Sequence, residues 1–332
     1  MNETWTLPGR IAELAAERPD RKALTEIGAD GEWVESTWSE YWESVRNLAK
    51  GLIALGMKPR EGVALIGNNR RDWVISQMGV SAAGGVPAPI YVTNTIEQVA
   101  YIVKHCGAKI AICDNRQQLD KYLAALDRGL IDVEHLITMD EIEGAPDIVT
   151  SLGSVIARGS AEADGQLERR MAATEPDDLA LLIYTSGTTG VPKGAMCTHG
   201  GIAAMGKSFV ETYPQMIEID PSRYLSYLPL CHVAEQAMTN FMGLRAANET
   251  YFCADLSKVK DHLAVARPHL FFAVPRVWEK FEAALSGAFA QSTGLKAKLA
   301  SWARHVELEA ATRTKAQGDT LETFPRRLAQ RV

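Results

Sequence analysis

Apolar and polar positions along the chain fall into short blocks that predict alternating strands and helices. Residues 8–18 place Ile11, Leu14 and Ala15 on one face of a short helix. Segments 22–27 and 32–37 flank a GADG turn and predict a β-hairpin. The stretch TWSEYWESVRNLAKGLIALG predicts a long helix, opened by Thr37 with Glu40 three residues on and closed by Gly56. A regular rhythm follows: strand GVALIGN (62–68), helix RDWVISQMGVSAAG (71–84) and strand VPAPIYV (86–92). Asn94 and Glu97 offer a capping-box start to a helix ending near Gly107, before strand KIAIC (109–113), helix 116–128 and strand HLITM (135–139). Such β-α-β alternation predicts an α/β fold with a parallel sheet covered by helices on both faces.

Residues 140–176 lose this rhythm and are rich in Gly, Ala, Ser and acids, which predicts a loop-rich connection with room for one helix. Strand LALLIY (179–184), helix 199–212, strand 224–228, helix 233–246, strand 250–254, helix 256–266, strand 269–274 and helix 276–290 then predict a second α/β unit. The expected organisation is therefore 1–176, 177–290 and a basic helical segment over 291–332. No fixed-period repeat is visible.

The segment YTSGTTGVPKG, residues 184–194, combines Gly187, Gly190 and Gly194 with the hydroxyls of Thr185, Ser186, Thr188 and Thr189 and the cation Lys193. Glycine has no Cβ and accepts positive φ, so such a backbone can fold around an anion with its N–H groups turned inward. Hydroxyls add donors, and Lys193 supplies a point charge able to follow a departing pyrophosphate. The plain alternative is a Gly/Thr-rich surface turn between two strands. A Walker-type P-loop does not fit, because counting from Gly187 the second glycine position is Pro192 and the lysine is followed by Gly194 instead of Ser or Thr. Ala195 to Thr198 is also too short and mixed to open a helix at once.

This segment resembles the phosphate-binding signature of the adenylate-forming enzymes: acyl-CoA synthetases, luciferases and the adenylation domains of peptide synthetases. YLPLCHVAEQ (227–236) and VPRVWEKF (274–281) resemble the corresponding segments of long-chain fatty acyl-CoA synthetases. The likeness covers nearly the whole chain, including the opening TLPGRIAELAAERPDRKAL. It implies the large-domain fold of that superfamily, with two doubly wound sheets covered by helices, incomplete at the C-terminus. It also implies ATP-dependent activation of a fatty acid, with ATP, Mg²⁺ and CoA as cofactor and co-substrates. On this resemblance Tyr184, Thr185, Ser186, Gly187, Thr188, Thr189, Gly190, Lys193 and Gly194 would bind the nucleotide, with Thr185 a magnesium ligand and Val233 offering its backbone near ATP. Lys193 and His232 are the catalytic candidates, His232 ordering the reacting carboxylate.

The chain also departs from the pattern. In some long-chain members a bulky aromatic near position 236 gates the acyl tunnel, whereas Gln236 stands here. The family's Tyr-Gly-x-Thr-Glu and Thr-Gly-Asp stretches and its small C-terminal domain with the adenylation lysine are not found, so the expectation is the N-terminal part of a longer ligase, unable to run the whole reaction alone. A CoA-independent fatty acyl-AMP ligase and a non-catalytic nucleotide- or partner-binding module remain as alternatives. Glu235 reads as a surface helix residue. Adjacent Cys231 and His232 would point to opposite faces of a strand, which argues against a metal or Cys/His nucleophile there. Arg276 could meet an anion or form an ion pair.

Composition adjusts this picture little. With 332 residues, 46% hydrophobic and 23% charged, the chain has material for a large core and more than one subdomain. A net charge of −6 gives no reason to expect nucleic acid as a partner. The final 42 residues carry eight Lys/Arg against four Asp/Glu; this basic helix reads as a solvated face, or as one meeting an anionic membrane surface or CoA phosphates. Five scattered cysteines without a C-x-x-C pair fit a reducing compartment, so a cytoplasmic protein is expected, with peripheral membrane contact as an option. No basic-then-apolar N-terminal segment and no run of 18 apolar residues occurs, so neither export nor membrane spanning is expected. Oligomeric state is left open.

Overall fold

The computed structural model describes residues 6–28, 30–185, 192–291 and 293–317. Its strands are β1 (Lys22–Ile27), β2 (Trp33–Thr37), β3 (Gly62–Ile66), β4 (Val86–Ile90), β5 (Ile110–Cys113), β6 (His135–Thr138), β7 (Val149–Ser151), β8 (Leu179–Thr185), β9 (Lys193–Thr198), β10 (Arg223–Ser226) and β11 (Glu249–Phe252). The helices that frame them include α1 (Leu7–Glu17), α2 (Trp38–Ala54), α3 (Arg71–Ala82), α4 (Ile96–His105), α5 (Arg116–Asp127), α6 (Leu152–Ser160), α7 (Gly165–Ala172) and α8 (His199–Thr212). The chain forms two compact units, one up to Phe271 and one from Phe272.

In the first unit an all-parallel sheet has the order β4-β3-β5-β6-β7. Every residue of β3, β4 and β5 is buried, as expected of strands covered on both faces, and this explains their unbroken apolar runs. β4 carries Pro87 and Pro89, which lack the N–H a further neighbour would need, and so it closes the ladder at that edge. β8 lies against β4 and pairs instead with β9 as an antiparallel hairpin.

The second sheet does not follow chain order. Its strands run β10-β11-β1-β2, with Leu24 of the N-terminal hairpin paired to Thr250. The expected strand over 269–274 reduces to a single bridge between Tyr224 and Leu270.

Local signals account for most helix starts. Thr37 and Glu40 form the expected capping box, with Glu40 N–H donating to Thr37 Oγ1 at 3.2 Å and Thr37 N–H to Glu40 Oε2 at 2.8 Å. At α4 the box falls one residue later than expected, on Thr95 and Gln98 in place of Asn94 and Glu97.

The region 140–176 holds α6 and α7, not mainly loop. Its small residues serve close helix packing: a Cβ on Gly159 would stand 1.8 Å from the Asn47 carbonyl oxygen of α2, and one on Gly51 2.2 Å from that of Val155. In the second unit, helices Pro275–Gln291 and Gly294–Gln317 are linked by an exposed Arg304–Glu282 contact of 3.4 Å. Among the described residues no helix is long and apolar enough to cross a membrane.

Candidate functional site

The β8–β9 hairpin sets two of the sequence-derived residues opposite each other. Thr185, the last residue of β8, is in register with Lys193, the first of β9, and both are exposed. Ser186, Gly187, Thr188, Thr189 and Gly190, expected to cradle phosphate, lie outside the described residues.

Tyr184 is not free at this point. Its ring is 4% exposed and its hydroxyl is 2.9 Å from His105 Nδ1 at the C-terminal end of α4. The His105 ring in turn stacks on Tyr101 at 5.4 Å. Burial pushes the Tyr184 phenol well above its ordinary range, so it stays protonated. Gly194 faces it across the hairpin, and a Cβ there would come within 3.3 Å of the tyrosine ring. The base of the candidate loop is thus anchored by an aromatic seated on a glycine.

The second motif leaves β10 at Ser226 and runs to the helical turn that begins at Val233. Cys231 is buried while His232 is exposed, but both lie in the turn after β10 and not on a strand, so the expected strand alternation is not what separates them. Burial pushes the Cys231 thiol up to about 12, which makes it unreactive. His232 caps the turn, with Nδ1 accepting the Ala234 N–H at 3.1 Å. With that lone pair engaged, a neutral His232 carries its proton on Nε2 and presents a donor.

Both motifs meet in one pocket of about 330 Å³. Tyr184, Thr185 and Pro192 come from the hairpin, His232 and Val233 from the segment after β10, and Tyr91 and Asn94 from the carboxyl end of β4. Lys193 follows Pro192 directly but is not part of the wall. Parallel α/β sheets bind ligands outside the carboxyl ends of their strands, and the pocket occupies such a position. A larger cleft of about 460 Å³ opens beyond β3, β5 and β6, where Asp114 accepts from the Asn68 N–H at 2.9 Å. It gathers none of the motif residues, so the smaller pocket is the candidate.

One expectation for the following residues is overturned. Glu235 is fully buried, not a surface residue. Its carboxylate accepts from the Leu228 N–H at 3.1 Å and the Thr239 hydroxyl at 2.7 Å. Burial outweighs these bonds and pushes its carboxyl up to about 7. Gln236 is also fully buried, donating to the Leu230 carbonyl at 2.6 Å and exchanging bonds with Gln77 on α3 at 2.8 and 3.0 Å. The expected helix over 233–246 is present from Val233 to Arg245, but its middle, Gln236–Met242, is a π-helix, a widened turn often found beside functional sites.

Sequence reading also missed Asn69 and His105, which hold the two motifs from the first sheet's layer. Neither sits in a recognisable spacing. Arg276 stands exposed at the start of its helix. Among the described residues no three His, Cys, Asp or Glu side chains gather to hold a metal ion.

The five-stranded parallel sheet, the mixed second sheet and the β8–β9 hairpin form an α/β fold shared with solved adenylation and CoA-ligase structures. The family model described as AMP-binding enzyme matches residues 11–329, and the chain belongs to that family. Among its relatives, long-chain-fatty-acid–CoA ligase ACSBG2 of Xenopus laevis is 36% identical over 289 residues, which cover 84% of this chain and 38% of the relative. The Homo sapiens ligase of the same name is 32% identical over 82% of this chain and 41% of its own length. The chain therefore spans about two fifths of the curated relatives it matches.

Solved structures agree on the fold. The A domain of carboxylic acid reductase from Segniliparus rugosus, in complex with AMP and a co-purified carboxylic acid, gives a TM-score of 0.72 at 22% identity, covering 90% of this chain and 53% of that one. The long-chain-fatty-acid-CoA ligase FadD1 from Archaeoglobus fulgidus gives 0.70 at 19%, covering 87% and 54%.

Proposed function

We propose that this chain is the N-terminal part of an ATP-dependent long-chain fatty acid CoA ligase. The observation that carries the reading is the convergence of Thr185 and Pro192 with His232 and Val233 on a single pocket. Relatives named as long-chain-fatty-acid–CoA ligases support the substrate class.

In the proposed reaction the fatty acid carboxylate attacks the α-phosphorus of ATP and pyrophosphate leaves; the CoA thiol then displaces AMP from the acyl-adenylate. A carboxylate is already ionised at neutral pH, so activation needs positioning and charge stabilisation and no general base. The segment from Thr185 through Ser186 and Thr188 to Lys193 would hold the β- and γ-phosphates. His232, with Nδ1 committed to the Ala234 N–H, would donate from Nε2 to the reacting carboxylate or the α-phosphate. Val233 would offer its backbone beside ATP. Magnesium, when bound, would neutralise phosphate charge. Thr185, exposed at the end of β8, would be its protein ligand.

Calorimetric titration of MgATP into the chain and into Lys193→Ala tests the phosphate-binding part. Losing a charge-assisted bond worth about 1.5–3 kcal/mol should weaken binding by about tenfold or more; equal affinity would overturn the assignment. The isolated chain is expected to show no fatty-acid-dependent exchange of pyrophosphate into ATP. Exchange by the chain alone would overturn its reading as one part of the catalytic unit.

A further inference from the structure

We propose that Asn69, which lies outside the wall of the pocket, is a positioning residue for it: the buried amide fixes residues 226–230 and thereby sets where His232 and Val233 stand. The contact geometry carries this inference, and only the ligand arm of its test rests on the ligase reading.

Between the end of β10 and the turn at Val233 the chain crosses a buried layer without a strand partner. The N–H and C=O groups of Leu228 and Leu230 are instead satisfied by side chains. Asn69 Nδ2 donates to the Leu228 carbonyl at 2.7 Å and to Ser226 Oγ at 3.0 Å, while Asn69 Oδ1 accepts the Leu230 N–H at 3.2 Å. The two remaining groups go to Glu235, which accepts the Leu228 N–H, and Gln236, which donates to the Leu230 carbonyl. Asn69 is thus the member of this set that supplies donor and acceptor together, and it is 5% exposed.

Its leverage comes from where it is rooted. Asn69 belongs to the turn between β3 and α3, and Gln77 on α3 holds Gln236 and accepts from Asn240 at 3.2 Å. One turn-and-helix unit of the first sheet's layer therefore grips the segment at both ends. Its position passes to the pocket through the backbone: His232 N–H donates to the Pro229 carbonyl at 2.8 Å, and the Gln236 N–H to the His232 carbonyl at 3.0 Å.

Chemistry restricts the residue at 69. Aspartate would keep the acceptor for Leu230 and lose both donors, placing negative charge against a carbonyl; alanine would leave both Leu228 O and Leu230 N–H short of a buried partner. In either case the segment has to move to regain hydrogen bonds, and His232 moves with it.

The test uses the chain labelled with ¹⁵N-histidine, whose seven imidazoles give few signals. His232→Gln assigns the His232 resonances, and Gln118→Ala, removing a 2% exposed amide from α5, controls for loss of any buried amide. Asn69→Ala and Asn69→Asp are compared at temperatures where circular dichroism shows each folded; Asn69→Ser replaces alanine if that variant does not fold. The expected result is a shifted or broadened His232 signal in the Asn69 variants, with the other histidines and the Gln118→Ala spectrum unchanged. A non-hydrolysable palmitoyl sulfamoyl-adenosine should bind the Asn69 variants about tenfold or more weakly, since small misplacements of a positioning group carry penalties of that order. An unmoved His232 signal in the Asn69 variants, or an equal movement in Gln118→Ala, would overturn the proposal. Failure of the analogue to bind the unmodified chain would count against the ligase reading, while the histidine spectra still decide the role of Asn69.

Discussion

Glu235→Gln isolates what burial does to a carboxyl group in this fold. The wild-type side chain is fully buried, and its oxygens meet the Leu228 N–H, the Thr239 hydroxyl and the Tyr224 hydroxyl, the last at 3.3 Å. Burial dominates and the donors only partly oppose it, so the carboxyl rises from 4.5 to about 7. In the unfolded chain the same group ionises near its ordinary value. Between 4.5 and about 7 the folded state therefore holds a proton that the unfolded state has released, and stability must fall as pH rises through that window. The full displacement corresponds to about 3 kcal/mol.

Glutamine has the same shape and no charge, keeps an acceptor for the Leu228 N–H, and can donate to hydroxyls that rotate to accept. Urea unfolding followed by tryptophan fluorescence, for wild type and variant at pH 4.5 and pH 8, measures the effect as a difference of differences. Other titrating groups are common to both proteins and cancel. The variant should gain about 3 kcal/mol on wild type between the two pH values, reading more stable at pH 8 and nearly equal at pH 4.5. A constant difference across that range would show that the carboxyl ionises as it does in water, and the account of Glu235 as a neutralised buried acid would be wrong.

His199 should act in the opposite sense. Burial pushes its imidazole down to about 4 against a weaker opposing effect of Asp178, so the unfolded chain alone takes up a proton as pH drops below 6.5 and stability is lost toward pH 4 by up to about 3 kcal/mol; melting of His199→Asn at pH 7 and pH 5 should show less acid sensitivity than wild type, and an unchanged sensitivity would refute this. Gly159→Ala forces α6 away from α2, because the new Cβ would meet the Asn47 carbonyl oxygen at 1.8 Å, and should destabilise by about 3 kcal/mol; an unchanged urea midpoint would mean the helices do not cross so closely. Tyr184→Phe leaves the ring on Gly194 and removes the 2.9 Å contact with His105, so it should lower unfolding free energy by about 1 kcal/mol. No measurable loss would show that this hydroxyl does not secure the base of the hairpin.

The parts of the fold legible in the sequence were those whose signal is local. β3, β4 and β5 are buried on both faces and read as plain apolar runs, and the Thr37–Glu40 box is written within four residues. Leu24 pairs with Thr250, and nothing near either residue announces the other. Gly159 misled for a different reason. Glycine and serine in 140–176 suggested loop, yet the absence of a side chain is what lets α6 lie against Asn47 and Gly51. Apolar HLFFAV suggested a strand but makes one bridge, and Phe272 and Val274 stand exposed instead of packing into a sheet.

The candidate site divides along the same line. Residues proposed to meet ligand declared themselves by type: hydroxyls and Lys193 in one segment, His232 after a strand. Residues that place them did not. Glu235 looked like an ordinary surface charge until Leu228, Thr239 and Tyr224 closed around it, and Asn69 looked like nothing until its amide was found holding Leu228 and Leu230. The reason is physical. A ligand-facing group is selected for its own chemistry, which survives in the one-letter code, whereas a positioning group is selected for partners some 160 residues away, and its meaning exists only once those partners are brought to it. Exchanging the ligand-facing residues should therefore change what binds, and exchanging Asn69 should change how well the same ligand is held.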